Sequence, residues 1–505
     1  MPARSQALEE VLSQMLIAQS KKTNIHWKKK EAYFIHARKC KGITMNAKVI
    51  NMTGITPILS RLESLRERKI FSFHALPISS YGNSDIIGDP NSEISECPEG
   101  SFTGELFDNF FFPSGIISES QKMTAGLYNA DSSFYITSGT SIANQIAISA
   151  LCKKGDRILA DRNCHQSIHF HTQSIGVDVH YLCPDLRTED GEISAWSYEH
   201  LEKTLLTLEQ SGKACDVVIL TAQSYEGIIY DIPGVLERIL AAGISTRRFF
   251  IDEAWGSLNY FSEDTRFLTA MNIGHLLDKY PDLDVVCTHS AHKSLFCLRQ
   301  ASIIHCRGTD SLPDKIETAK YRIHTTSPSY PIIASLDAAQ AVMTEYGNAL
   351  AVHARGLVSK FITGVSSMKI PGIEAVCLQA FSSQNHIHYD PTKVMLDVSA
   401  LGTGAEIKQY LCEENIYVKR FMNNVILFNF HIGINDQAVT SLLLALNKIS
   451  KRKYENTTSE TEVSDKFIIP YPPGVPLVFP GEIIDDGIRN KIDEYRKNGF
   501  LIIAA

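Results

Sequence analysis

Lys293 stands in the stretch Val285-Val-Cys-Thr-His-Ser-Ala-His-Lys293-Ser, where a short apolar run gives way to a polar turn. That pattern reads as a buried strand, Val285 to Thr288, whose end presents an amine. A lone lysine is most often a solvated charge. About forty residues earlier, however, Arg248-Phe-Phe-Ile-Asp252-Glu-Ala254 closes a second apolar run on a carboxylate. An amine at one strand end and an acid at another are what a pyridoxal phosphate (PLP) site requires. The amine forms the Schiff base, and the acid keeps the pyridine nitrogen protonated so that the ring accepts electrons.

Other stretches supply the elements that must hold such a pair. Phe134-Tyr-Ile-Thr137 reads as a strand, Ser138-Gly-Thr-Ser141 as a turn, and Ile142 to Leu151 as a helix. A small-residue turn opening a helix leaves backbone N–H groups free for an anion such as a phosphate. Taken alone it equally suits a routine Ser/Thr cap. Arg157-Ile-Leu-Ala-Asp161, Val177 to Cys183 and Val217 to Thr221 are further strands, with helical stretches between them. This alternation predicts an α/β fold built on a mostly parallel sheet.

Ser290-Ala-His-Lys293, followed by Gln300-Ala-Ser-Ile-Ile-His305, resembles the cofactor-lysine motif of the ornithine/lysine/arginine decarboxylases. The resemblance runs from about residue 70 to 485 with several motifs in the family's order. It implies a fold-type-I PLP enzyme, similar to aspartate aminotransferase, with a parallel-sheet major domain and a smaller C-terminal α/β domain. The implied divisions are a helical and basic arm at 1–70, the major domain at 71–345 and the small domain at 346–505. Three residues take catalytic places: Lys293, Asp252 and His165, the last as the ring stacked on the cofactor. Ser138, Gly139, Thr140, Ser290 and His292 match phosphate-binding places, and Ala254 the residue packed under the ring. Tyr321-Arg-Ile-His-Thr-Thr-Ser-Pro-Ser-Tyr330 matches a segment that reaches the neighbouring subunit's phosphate, so Thr326 and Ser327 are candidates from across a homodimer. Ile469-Pro-Tyr-Pro-Pro-Gly-Val-Pro matches the family's C-terminal motif, and its prolines predict a rigid extended connection near the site rather than a central strand.

The resemblance implies decarboxylation of an amino acid or amino-acid derivative through a Schiff base on Lys293 and a quinonoid intermediate. Residue types alone leave open other fold-type-I chemistry: an α-oxoamine synthase, an aldolase, an aminotransferase or an oxidase. A PLP-binding partner subunit without turnover is a third reading. Three departures bear on substrate. His74 and Pro77 replace a Pro-Gly-His-Lys type loop, Glu226 replaces the usual acid of a Thr-Tyr-Asp-Gly turn, and Lys419 stands where the family has glutamate. An acid at that place suits a distal cation and a lysine repels one. The expected substrate is therefore neutral or anionic at its far end, unless Lys419 points to solvent.

At 505 residues the chain is too long for one ordinary core. Its net charge of −7 carries no global nucleic-acid signature, and no specific nucleic acid is expected. Eleven cysteines without paired spacing suit free thiols, so no metal is expected and the cytoplasm is. No run approaches a membrane span, and Glu9 and Glu10 argue against a secretory signal. Residues 5–18 suggest an amphipathic helix. Residues 21–41 are basic with interleaved aromatics, and read either as an anionic-surface contact or as a solvated arm. The family's large members carry an N-terminal wing that drives decamer assembly. This chain looks like the short form, and a dimer is expected.

Overall fold

Runs such as Val217-Val-Ile-Leu and Phe249-Phe-Ile are apolar at consecutive positions, so both faces of each strand need cover. The computed structural model describes residues 68–79, 85–87, 100, 107–370, 372–449, 462–484 and 486–505, with Ile58 and Leu65. In it these runs are the centre of a seven-stranded sheet. Val217, Ile219, Phe250 and Val286 pack on one face. Val218, Leu220, Phe249, Ile251, Val285 and Cys287 pack on the other. Alternation within each strand thus feeds two separate apolar layers.

The strands are β1 (Ser132–Ile136), β2 (Arg157–Asp161), β3 (Asp178–Leu182), β4 (Val217–Thr221), β5 (Arg248–Asp252), β6 (Asp284–His289) and β7 (Ser302–Arg307). Their order across the sheet is β1-β7-β6-β5-β4-β2-β3. Pairs from β3 to β6 are parallel, and β7 runs antiparallel to both neighbours. The register sets Asp252 beside Thr221 on one flank and Thr288 on the other. Three strands therefore end together, at the carboxyl edge where open α/β sheets hold ligands.

A 39-residue helix, α6 (Tyr330–Met368), leaves this sheet. It runs through position 346, the expected start of the small domain. Pro331 does not stop it, because a proline in the first turn loses no intrahelical bond. Beyond it β8 (Ala375–Val376), β9 (Lys393–Asp397), β10 (Phe421–Met422) and β11 (Val425–Asn429) form a second sheet in the order β8-β9-β11-β10. Phe73, Phe361, Phe428 and Phe430 meet edge-on or tilted, and join this sheet to α6 in its own core.

The proline-rich motif is not wholly a connection. Its opening residues, with Ile468, are a strand, β12 (Ile468–Tyr471), antiparallel to β13 (Leu501–Ala504). Pro470 is tolerated in this two-stranded pairing because one side of the strand carries no ladder. The expected helix at 5–18, the basic segment 21–41 and most of the polar stretch 451–466 lie outside the described residues.

Candidate active site

Asp252 ends β5 and is 4 % exposed. Its Oδ1 accepts from the Ala254 N–H at 3.1 Å, and its Oδ2 from the Asn144 side-chain amide at 3.3 Å. Burial pushes its carboxyl above the ordinary range, while the charge of Lys293 opposes the rise. Such an acid is stabilised in its ionised form by a cation placed against it.

Lys293 lies in a one-turn helix, α4 (Ala291–Ser294), directly after β6. Its Nζ sits 4.5 Å from the centroid of the Trp255 indole. Burial is the main cause that lowers its amine to about 8, Asp252 works in the opposite sense, and Lys393 adds to the lowering. A desolvated lysine of this kind has a larger neutral fraction near neutral pH than a solvated one.

His165 caps α3 (Gln166–Ile175), accepting from the Ser167 N–H at 3.2 Å and sharing a 2.9 Å hydrogen bond with Ser167 Oγ. Burial and then Lys293 lower its imidazole to about 3, so it is a neutral ring. Asn144 also donates to Ser167 Oγ at 3.1 Å. The acid, the lysine's strand and the histidine are thereby joined through one amide.

Ser138, Gly139 and Thr140 form the turn into α2 (Thr140–Leu151), which no side chain caps. Gly139 has φ +82°, and a Cβ built there would meet nothing within 4 Å. The slot above the helix end is therefore open, and its N–H groups favour an anion. Ser138 Oγ lies 3.3 Å from His324 Nε2, which also accepts from the Thr137 N–H at 3.1 Å. Ser290 Oγ lies 3.4 Å from His292 Nδ1, and that nitrogen donates to the Ala301 carbonyl at 2.9 Å. An uncapped helix end, hydroxyls, and a buried acid within electrostatic reach of an amine fit the phosphate, ring nitrogen and aldehyde of PLP.

The remaining predicted residues make their hydrogen bonds and ring contacts with other neighbours, although the Lys293 charge reaches His74. Thr326 and Ser327 are exposed on the loop after α5 (Leu312–Ile323). His74 shares a 3.0 Å hydrogen bond with the Tyr225 hydroxyl, and burial lowers it to about 3. Glu226 is paired with Arg420 at 2.7 Å. Lys419 is half-buried, with its Nζ 5.2 Å from the Phe500 ring centroid.

A small cleft opens beside Lys293, lined also by Trp255, Asp390, Lys393, Asn429 and His431. Lys293 is shared between this cleft and the cofactor-type group, whereas Asp252, His165 and the 138–140 turn do not line it. Sequence reasoning missed Asn144, Ser167, Trp255, His324 and Lys393. Trp255 follows Ala254 directly and had a signal in that adjacency. The others had none, since each acts through a neighbour distant in the chain.

Residues 99–438 match the family described as Orn/Lys/Arg decarboxylase, major domain. An arginine decarboxylase of Bacillus subtilis is 28 % identical over 418 residues, covering 76 % of this chain and 81 % of the relative. The inducible lysine decarboxylase of Escherichia coli is 25 % identical over 537 residues, covering 83 % and 72 %. Among solved structures, a lysine decarboxylase of Francisella novicida superposes with TM-score 0.64 at 20 % identity, covering 78 % of this chain and 69 % of that one. A serine palmitoyltransferase of Sphingomonas wittichii reaches 0.53 at 15 % identity, covering 79 % and 98 %. The fold is that of fold-type-I PLP enzymes.

Proposed function

Since this chain belongs to the Orn/Lys/Arg decarboxylase family, a family of PLP-dependent lyases, we propose that Lys293 and Asp252 are the anchoring amine and ring-facing acid with which it decarboxylates an amino acid. The observation that carries this reading is the buried Asp252 at the carboxyl edge, with the lowered amine of Lys293 near it. PLP, when bound, supplies an aldehyde for the substrate amine and an electron-withdrawing ring for the pair left by departing CO2.

The chain's own residues do the rest. Asp252 keeps a proton on the ring nitrogen, and Asn144 and the Ala254 N–H hold the acid in place. His165, neutral and fixed by Ser167, offers a flat face to the ring. The 138–140 turn, Ser290 and His292 hold the phosphate, and Ala254 leaves room under the ring. Lys293 returns a proton to the α-carbon after CO2 leaves. The cleft beyond Lys293 takes the substrate side chain. Among its described lining residues Asp390 is the one carboxylate, and it already accepts from Gln223 at 2.7 Å and the Thr392 N–H at 2.8 Å. This supports a substrate that is neutral or anionic at its far end, with His74, Glu226 and Lys419 on the rim.

Exposed Phe112, Ile116, Met123 and Tyr321, with Thr326 and Ser327, support a homodimer that completes the phosphate site from its partner. The nine cysteines among the described residues are unbridged, which supports a cytoplasmic place. No helix among the described residues is long and apolar enough to cross a membrane.

Borohydride reduction of the purified protein with PLP, followed by peptide mass spectrometry, should place the label on Lys293 and abolish it in Lys293→Ala. CO2 release is then measured with basic, neutral and acidic amino acids side by side. A label that survives in Lys293→Ala overturns the site. Fast turnover of lysine, ornithine or arginine overturns the substrate reading alone.

A further inference from the structure

The cleft holds a second buried amine. Lys393 opens β9 and is 3 % exposed, although an ammonium is among the costliest groups to bury. Its Nζ lies 4.1 Å from the centroid of the Trp255 indole, the same ring that Lys293 approaches to 4.5 Å. Both lysines line the one cleft. Among the described residues neither makes an ion pair within 4.0 Å. The acids nearest Lys393 are engaged elsewhere, Asp390 with Gln223 and Thr392, and Glu226 with Arg420.

We propose that Lys393 is a positioning charge for Lys293: an ammonium held on the shared indole disfavours the protonated form of its neighbour and so raises the neutral fraction of that nucleophile near physiological pH. A cation beside a desolvated lysine is a known way to activate it. The groups facing the pair set its electrostatic surroundings. Burial lowers the Lys393 amine to about 8 as well, and Asp390 and Glu226 work in the opposite sense. Asp252 does so for Lys293, but burial pushes Asp252 itself toward its neutral form. His165, His74 and His431 are all lowered by burial and add no positive charge near neutrality. The two amines therefore titrate as a coupled pair, in which a charge on Lys393 opposes one on Lys293.

The inference goes beyond the cofactor reading, because it concerns the amine before any cofactor arrives. It is tested on the apoenzyme by competitive labelling with dinitrofluorobenzene across pH, with the Lys293 peptide quantified by mass spectrometry. Wild type should show a midpoint at about 8. Lys393→Met should move it upward by about one pH unit. Lys393→Arg, which keeps a charge, should leave it in place. Lys393→Gln serves as a second neutral variant, and circular dichroism verifies that each variant is folded. An unchanged midpoint in the neutral variants overturns the proposal, and so does an equal upward shift in Lys393→Arg. A shift as expected in protein that fails to trap PLP on Lys293 would sink the cofactor reading and leave this one standing.

Discussion

The side-chain amide of Asn144 donates to the carboxylate of Asp252 across 3.3 Å, from a helix that starts more than a hundred positions earlier in the chain. The same residue accepts from Thr288 Oγ1 at 2.8 Å and donates to Ser167 Oγ, which holds His165. Asn144→Leu leaves these buried groups without their partner, at a cost of about 1–3 kcal/mol. PLP retention should fall about tenfold to a hundredfold, measured by the cofactor's absorbance after dialysis. Unchanged retention would mean that Asp252 orients itself.

Gly139 is a place where any side chain acts in two ways. Its φ of +82° strains every L-residue by about 1 kcal/mol, and a Cβ would project into the open slot above α2. Gly139→Val should weaken PLP binding far more than it lowers the melting temperature. Equal losses in both would show that the turn is structural and takes no anion.

Glu253 turns away from Asp252 into the sheet's core. There its Oε2 accepts from Tyr260 at 3.0 Å and Cys287 at 3.2 Å, and shares a 2.9 Å hydrogen bond with His289 Nε2. Burial raises its carboxyl to about 7 from 4.5, so the folded protein holds that proton more tightly than the unfolded chain. The resulting stabilisation is complete below pH 4.5 and is lost as pH rises through about 7. His289, lowered to about 3, has the reverse sign: its contribution is present above 6.5 and lost as pH falls toward about 3. Glu253→Gln removes the first effect and leaves the second. Its melting temperature should decline less than that of wild type between pH 5 and 8. Parallel curves by differential scanning calorimetry would refute the assignment.

Gly474 ties the proline-rich segment to the site. Its carbonyl accepts from the Gln166 N–H at 2.9 Å, and a Cβ there would stand 3.1 Å from His165 Nε2. With φ at +85° the position favours glycine twice over. Gly474→Ala should displace the His165 ring and shift the absorbance band of bound PLP, with little change in protein yield. An identical spectrum would show that the segment merely fills space.

The pattern of what the sequence revealed follows from where each signal lives. Asp252 and Lys293 were legible because they punctuate apolar runs, and a strand end is marked locally. Gly139 was legible for the same reason, in a turn that opens a helix. The long reach of α6 was not, since its ends at Ser329 and Lys369 are set by loop geometry rather than by apolar spacing. Asn144 looked like one polar residue on a helix. Lys393 looked like one lysine in a strand, and only the folded chain sets it on the indole that Lys293 shares.

Arg162, three positions before His165, pairs with Glu482, 320 positions further along, and places its guanidinium 3.9 Å from the Phe479 ring centroid. A nascent chain emerging from the ribosome with its major sheet already formed still lacks this brace. On the function proposed above, the segment that closes against His165 is made last, so a polypeptide cut short before Gly474 should keep PLP poorly.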